Sequence, residues 1–265
     1  MNFTFIGAGS AFTPISGGNL QSNMLLSENN KNLAIDCGTQ FHYGIEKLGL
    51  QAKDIDAIFI THLHSDHIGG LEELAFKTYF DPSAKKPIMF INGLMKEELW
   101  NNCLKGGLGS IQCKLATLET FFDVVELQPN ETFTWEGTTF QPVQVVHFYD
   151  GFRIVPSYGL KWNYNNIRYF FTSDAQHQPH QIKDMYNESD IIFQDCETSP
   201  FKSGVHAHFD ELFTLDEATR SKMVLYHYQP GERPDAKEKG FKGYAHSMMT
   251  IDLSTGYVVK GELLN

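Results

Sequence analysis

No two of the four cysteines (Cys37, Cys103, Cys113 and Cys196) form a C-x-x-C pair, so the paired-cysteine motifs are excluded. With no signal peptide legible after Met1, four unpaired thiols read as reduced cysteines of a cytoplasmic protein. Long apolar runs are missing too; none approaches the roughly 18 residues a membrane span requires. There is no G-x-x-x-x-G-K-S/T loop and no G-x-S-x-G elbow, and Gly7-Ala8-Gly9 lacks the third glycine of a dinucleotide fingerprint. Positive charge is scarce: 21 basic against 32 acidic residues, a net charge of −11. Each phosphate contact along a polynucleotide needs a cation, so long nucleic acid is a poor partner. A small anionic substrate held by metal ions remains open.

What the chain does have is length for one large core. Its 265 residues, 42% of them hydrophobic, argue for one domain over 1–265. Phe3–Ile6 alternates and breaks at Gly7-Ala8-Gly9-Ser10, a strand feeding a tight turn. Residues 23–26 and 32–35 read as a hairpin, 41–48 and 71–79 as helices, 55–60 as a short buried strand and 86–91 as another strand. Leu94 to Leu104 suggests a helix closed by a turn at Gly106-Gly107-Leu108-Gly109. Strands follow at 121–127, 132–135, 138–147, 153–161 and 167–172, then a helix at 182–186, a strand at 191–194, a helix over 208–219, and strands at 223–226 and 256–260. No direct repeat and no linker divides the chain. Alternating strands and helices with antiparallel meanders in the middle predict a layered α/β sandwich.

Histidine is plentiful, eleven in all, and six residues hold three of them: His62-Leu63-His64-Ser65-Asp66-His67. The run follows a buried strand, where α/β proteins tend to place their sites. In extended chain, residues two apart face the same side, so His62 and His64 can share one ion. Asp66 and His67, at the start of the next helix, can reach a second. Imidazole with carboxylate suits zinc, and also manganese or iron.

This run resembles the metallo-β-lactamase signature H-x-H-x-D-H, and the likeness extends to the opening turn and to Asp36-Cys37-Gly38. The resemblance implies a four-layer αββα sandwich and three further ligands at strand ends: His147, Asp174 and His227. It assigns His62, His64, His147 and Asp174 to one ion, and Asp66, His67, Asp174 and His227 to the other. The implied cofactor is two zinc ions per chain, with manganese as the alternative. Two such ions lower the pKa of a bridging water and clamp the oxygens of a phosphate ester, with Asp66 orienting the nucleophile. A leaving alkoxide then needs an acid. The stretch Glu197–Phe209 is similar to the catalytic block of the RNase Z branch, which nominates His206 or His208 as the acid and Glu197 as an orienting partner.

Within that superfamily the chain lacks a basic tRNA-binding arm: only 26 residues separate His147 from Asp174. Its length, armless layout and Gly9–Pro14 opening resemble the anti-Pycsar cyclic-nucleotide phosphodiesterases. That likeness implies hydrolysis of 3′,5′-cyclic mononucleotides such as cCMP and cUMP, and a homodimer. An RNase Z-like tRNA 3′ endonuclease, or another hydrolase of the fold, is the alternative. Residues 94–115 are either a dimer or substrate element or a peripheral helix. Phe12, Phe148, Tyr149 and Trp162 are candidates for a base-contacting wall, with core or surface packing as the other reading. His42, His177, His180 and His246 are read as solvated or packed structural histidines.

Overall fold

A computed structural model describes all residues, 1–265. Its strands, in chain order, are β1 (Asn2–Gly7), β2 (Asn23–Glu28), β3 (Lys31–Ile35), β4 (Ala57–Ile60), β5 (Ile88–Asn92), β6 (Ser110–Ile111), β7 (Lys114–Leu115), β8 (Asp123–Leu127), β9 (Phe133–Trp135), β10 (Thr138–Tyr149), β11 (Ile154–Tyr164), β12 (Ile167–Phe171), β13 (Ile191–Asp195), β14 (Met223–Tyr226), β15 (Gly243–Tyr244), β16 (Met249–Asp252) and β17 (Tyr257–Lys260). One sheet runs β17-β16-β1-β2-β3-β4-β5-β8 and the other β15-β14-β13-β12-β11-β10-β9; β6 and β7 make a small separate hairpin.

Both sheets follow one plan. Antiparallel pairing from β16 through β1 and β2 to β3 gives way to parallel pairing through β4 and β5 to β8. Likewise β9 to β12 are antiparallel, and β12 to β15 parallel. A twofold resemblance between halves is therefore present in topology though not in sequence. Parallel strands need crossover segments, so their carboxyl ends gather at one edge of each sheet.

Alternation along the strands then sets the layers. Phe3 and Phe5 point inward from β1, and Phe3 stacks on Phe193 of β13 at 4.4 Å between ring centres. Further along, Phe133 lies 4.2 Å from Phe90 and 5.2 Å from Phe140. These rings fill the space between the sheets with large apolar area in offset stacks. The outer faces carry helices: Gly44, in Phe41–Lys47, lies so close to Ile6 that a Cβ there would overlap its side chain. On the other side, Phe170 of β12 meets Tyr186 of Lys183–Glu188. Helix, sheet, sheet and helix make the four layers, and the buried apolar residues form one contiguous cluster of 69, from Met1 to Leu253.

Three stretches differ from the sequence expectation. Residues 94–109 do not end in a glycine turn: a helix over Gly93–Glu98 widens over Leu99–Leu104 and continues as Lys105–Leu108. Gly107 lies against the Glu72 carboxylate, where a Cβ would overlap the carboxyl oxygens. The expected helix over 208–219 is two short ones, Phe209–Leu212 and Glu217–Arg220, each started by its own side-chain cap, His208 and Asp216. Finally β15 and β16 were not anticipated: β15 is two residues long, and β16 is four, Met249-Thr250-Ile251-Asp252, too short an alternation to stand out in the tail.

Candidate metal centre

The carboxyl ends of the parallel strands from both sheets meet at one place. Asp36 follows β3, His62 follows β4, Asp174 follows β12, Asp195 closes β13, and His227 follows β14. Asp36, Ser173 and His227 have positive φ (67°, 56° and 65°), so the chain leaves these strands through the left-handed region. Non-glycine residues hold that conformation only where the surroundings impose it, and such sites are often functional. His147 is aimed by another device: the β10–β11 register shifts between Val146 and Phe148, a bulge at His147.

His62 and His64 do share a side. His62 Nε2 lies 3.2 Å from His64 Nδ1, and His147 Nε2 lies 3.1 Å from the same atom. Asp174 Oδ2 is 3.7 Å from His62 and 3.9 Å from His147. In the adjoining group, His67 Nε2 lies 3.2 Å from Asp66 Oδ2 and 3.3 Å from Asp174 Oδ2. His227 Nε2 is 3.4 Å from each of these carboxylates. Asp174 Oδ2 therefore belongs to both sets, each of which could hold a metal ion.

The residues fit such ions. Burial pushes His62, His64 and His147 toward the neutral imidazole, His147 down to about 4, and the neutral ring is the form that coordinates metal. Burial opposes charge on His67 as well, but Asp174, Asp66 and Asp36 pull it far the other way: the carboxylates demand positive charge here. Burial would raise Asp66 and Asp174, yet the histidines beside them hold both carboxyls well below the usual range. His67 Nε2 and Asp174 Oδ1 are buried without a hydrogen-bond partner. A buried polar atom left unpaired costs about 1–3 kcal/mol, more when charged, and a cation relieves it.

The far nitrogens are held by two carboxylates to which the sequence assigned no role, Asp36 and Asp195. His67 Nδ1 sits 2.7 Å from Asp36 Oδ2, and Asp36 also accepts from the Thr61 amide and hydroxyl. His227 Nδ1 faces Asp195 Oδ1 at 3.5 Å. Such outer carboxylates orient ligating imidazoles. The only signal for Asp195 was its place at the end of a predicted buried strand.

Asp195 also separates the two candidate acids. Its Oδ2 lies 2.8 Å from His206 Nδ1 and accepts from the Ala175 amide. Burial disfavours charge on His206, but Asp195 outweighs it and holds the ring up at about 9. The His206 ring stacks on His227 at 4.5 Å. His208 is turned away: Nδ1 accepts from the Asp210 amide, capping Phe209–Leu212, and Nε2 donates to Ser199 O at 2.9 Å. Glu197 is occupied elsewhere. Its oxygens accept from the Ser199 hydroxyl and from the Ser203 amide and hydroxyl, which shapes the 198–205 loop.

Of the aromatic candidates, Phe148 lies flat against His64 at 5.5 Å. Phe12 and Tyr149 are 95% and 63% exposed, so they are free to touch a ligand. Trp162 instead belongs to the core, stacked 5.2 Å from Tyr169 between the sheets. His42 is buried with Nε2 on Gly70 O, His246 Nδ1 donates to Ser247 O, and His177 and His180 lie on the surface loop after Asp174.

Comparison with solved structures confirms the fold. The metallo-β-lactamase fold protein YhfI from Bacillus subtilis superposes with a TM-score of 0.72 at 17% identity, covering 94% of this chain and 97% of that one. Human tRNase Z, short form, superposes with a TM-score of 0.67 at 19% identity, covering 96% and 99%. Among sequences, the anti-Pycsar protein Apyc1 of Paenibacillus harenae is 35% identical over 230 residues, covering 86% of this chain and 90% of that protein. The family model described as anti-Pycsar protein Apyc1 matches residues 1–251, so β1 to β15, the shared Asp174 and both donor sets fall within it. This chain belongs to the anti-Pycsar protein Apyc1 family.

Proposed function

We propose that this metal-dependent hydrolase is a phosphodiesterase that opens 3′,5′-cyclic mononucleotides, of the cCMP and cUMP class, to nucleoside monophosphates. The observation that carries the reading is Asp174 Oδ2 common to two adjoining sets of nitrogen and oxygen donors. On this reading His62, His64, His147 and Asp174 hold one zinc ion, and Asp66, His67, Asp174 and His227 the other, with manganese as the substitute. Two such ions supply Lewis-acid polarisation of the phosphate and a water of lowered pKa. Asp66 orients the attacking oxygen. His206, protonated and steadied by Asp195, delivers a proton to the departing ribose oxygen. His208 and Glu197 support the loop that presents His206.

Membership of the anti-Pycsar protein Apyc1 family supports a small cyclic substrate over a long one. So does the charge of −11: a single phosphodiester is neutralised by two ions without a basic groove. We further propose that 1–265 works as one domain in the cytoplasm, as a homodimer. No helix is long and apolar enough to cross a membrane. The widened helix and hairpin over 93–115 carry exposed Leu94 and Leu115, apolar surface that a second protomer would cover.

Purified protein assayed against a panel of 3′,5′-cyclic nucleotides and a tRNA precursor tests the assignment. Turnover of cyclic pyrimidine nucleotides is expected. Clean trimming of tRNA with no turnover of any cyclic nucleotide would overturn it in favour of the RNase Z-like alternative.

A further inference from the structure

The chain has four arginines, and three are engaged. Arg153 pairs with Glu98 and Asp150, Arg168 with Asp190, and Arg220 donates to backbone carbonyls. Arg233 is held by aromatic faces alone. Its Cζ lies 4.9 Å from the ring centre of Tyr228 and 4.8 Å from that of Tyr244. Both rings are pinned, Tyr228 by its hydroxyl on Ala245 O and Tyr244 by its hydroxyl on Pro234 O. Contact with ring faces steadies a guanidinium while leaving its in-plane donors for other partners. The Nε of Arg233 is buried and has no hydrogen-bond partner.

Arg233 lines a cleft of about 530 Å³ between the loop after β1 and the loop after β14, together with Thr13, Asn19, Gly18, Gly231 and His246. No member of either metal-binding set lines it. Thr13 is only 4% exposed, and its Oγ1 also lacks a partner. Asn19 Oδ1 is taken by Ala8 N, Ser247 N and Ser247 Oγ, which leaves its Nδ2 as the donor. The His246 nitrogens are both committed, to Ser247 O and to the Glu262 amide. Glu262 is the one acidic residue on the lining, and it is exposed.

We propose that this cleft binds a phosphate group. Its uncommitted polar groups are a guanidinium fork and an amide NH₂, the first carrying the only positive charge; the Thr13 hydroxyl beside them is also unpaired and packs against Gly9. A partner that accepts hydrogen bonds from several directions and carries negative charge completes them; phosphate oxygens do so, and the Arg fork takes two at once. The volume suits a nucleotide-sized molecule as well as the free ion. The site is separate from the proposed hydrolytic reaction and stands whether or not that reading holds.

Nitrogen-15 NMR of the metal-loaded protein tests it, because the Arg233 Nε–H signal reports this cleft even while phosphate also meets the metal centre. Titration with inorganic phosphate is expected to shift that signal saturably, leaving the other three arginines in place. No shift, or an equal shift with chloride at matched ionic strength, would overturn the proposal. In R233Q, folded by its thermal transition, the phosphate response of the Gly18 and Gly231 amides should weaken about tenfold, as fits loss of a charge-assisted pair. T13V should weaken it by a smaller factor. Unchanged affinity in R233Q sinks the site, as does acetate binding more tightly than phosphate. Tighter binding of a nucleoside 5′-monophosphate than of phosphate identifies a nucleotide as the occupant; equal binding identifies the free ion.

Discussion

Asp195 and His206 show how one contact divides two equivalent candidates. His206 and His208 lie two residues apart in a loop, and each is a plausible acid by position. The 2.8 Å contact with Asp195 holds the His206 ring in place and favours its protonated form, while His208 spends both nitrogens on the backbone. A general acid matters most when the leaving oxygen is basic. H206A is therefore expected to slow cyclic-nucleotide hydrolysis by about 10²–10⁴-fold. The same variant should lose far less activity toward bis(p-nitrophenyl) phosphate, whose leaving group departs without a proton. Equal losses on the two substrates would assign His206 a structural role.

The elements around the site depend on close backbone approach. Gly38, just after β3, lies against the Asp66 carbonyl, where a Cβ would overlap the oxygen. Asn23 ties the two together, accepting from the Gly38 amide and donating to Asp66 O. G38A should therefore push the Ser65–Ile68 helix outward and move Asp66 and His67 off their set. On the proposed two-ion assignment, metal content after dialysis is expected to fall from about two equivalents to about one, because each set needs its full complement of ligands. Two retained equivalents would contradict that placement.

A second expectation concerns the turn before β13. Arg168 on β12 forms paired hydrogen bonds with Asp190 at 3.0 and 2.7 Å, holding that carboxyl at about 2 against an ordinary 3.8. A depressed carboxylate stabilises the fold above its ordinary value and loses that contribution as pH falls through the folded one. Wild type should thus exceed D190N in denaturant midpoint above pH 3.8, and the gap should close near pH 2. Both groups are half exposed, so the gap is small and shrinks with salt. A gap that persists unchanged at pH 2 would show that the pair is not its source.

At the scale of the whole molecule, the candidate metal centre is where the two sheets are fastened. Asp36, His62 and His67 come from one half; His147, Asp174, Asp195 and His227 from the other. The Tyr158 amide of β11 donates to Thr61 O, and the His227 amide to Ala8 O, so each half reaches across at this edge. An ion that binds only the folded state stabilises it by about 2.7 kcal/mol at a hundredfold excess over Kd. For a chain of this size that corresponds to about 5–10 °C in Tm. Removing metal with a chelator should lower Tm by that amount for each ion lost, and adding zinc back should restore it. An unchanged Tm would mean that the aromatic core between the sheets holds them without help.

Much of this was legible in the chain itself. The H-x-H-x-D-H run states its own geometry, because strand period and helix start place its side chains before any tertiary contact forms. The family resemblance singled out His147, Asp174 and His227; Asp174 and His227 do follow strand ends, a local property of apolar pattern and turn, whereas His147 sits at a bulge inside β10. Asp195 was not, because a carboxylate at the end of a buried strand looks the same whether it faces solvent or a histidine from a distant loop. The choice of His206 over His208, the withdrawal of Glu197 into its own loop and the burial of Trp162 between sheets all rest on contacts between segments far apart in sequence. Local periodicity determined most of the elements and their ends, though not short ones such as β15 and β16 or the break in the 208–219 helix. Only packing one sheet on the other decided which side chains those ends bring within hydrogen-bond reach.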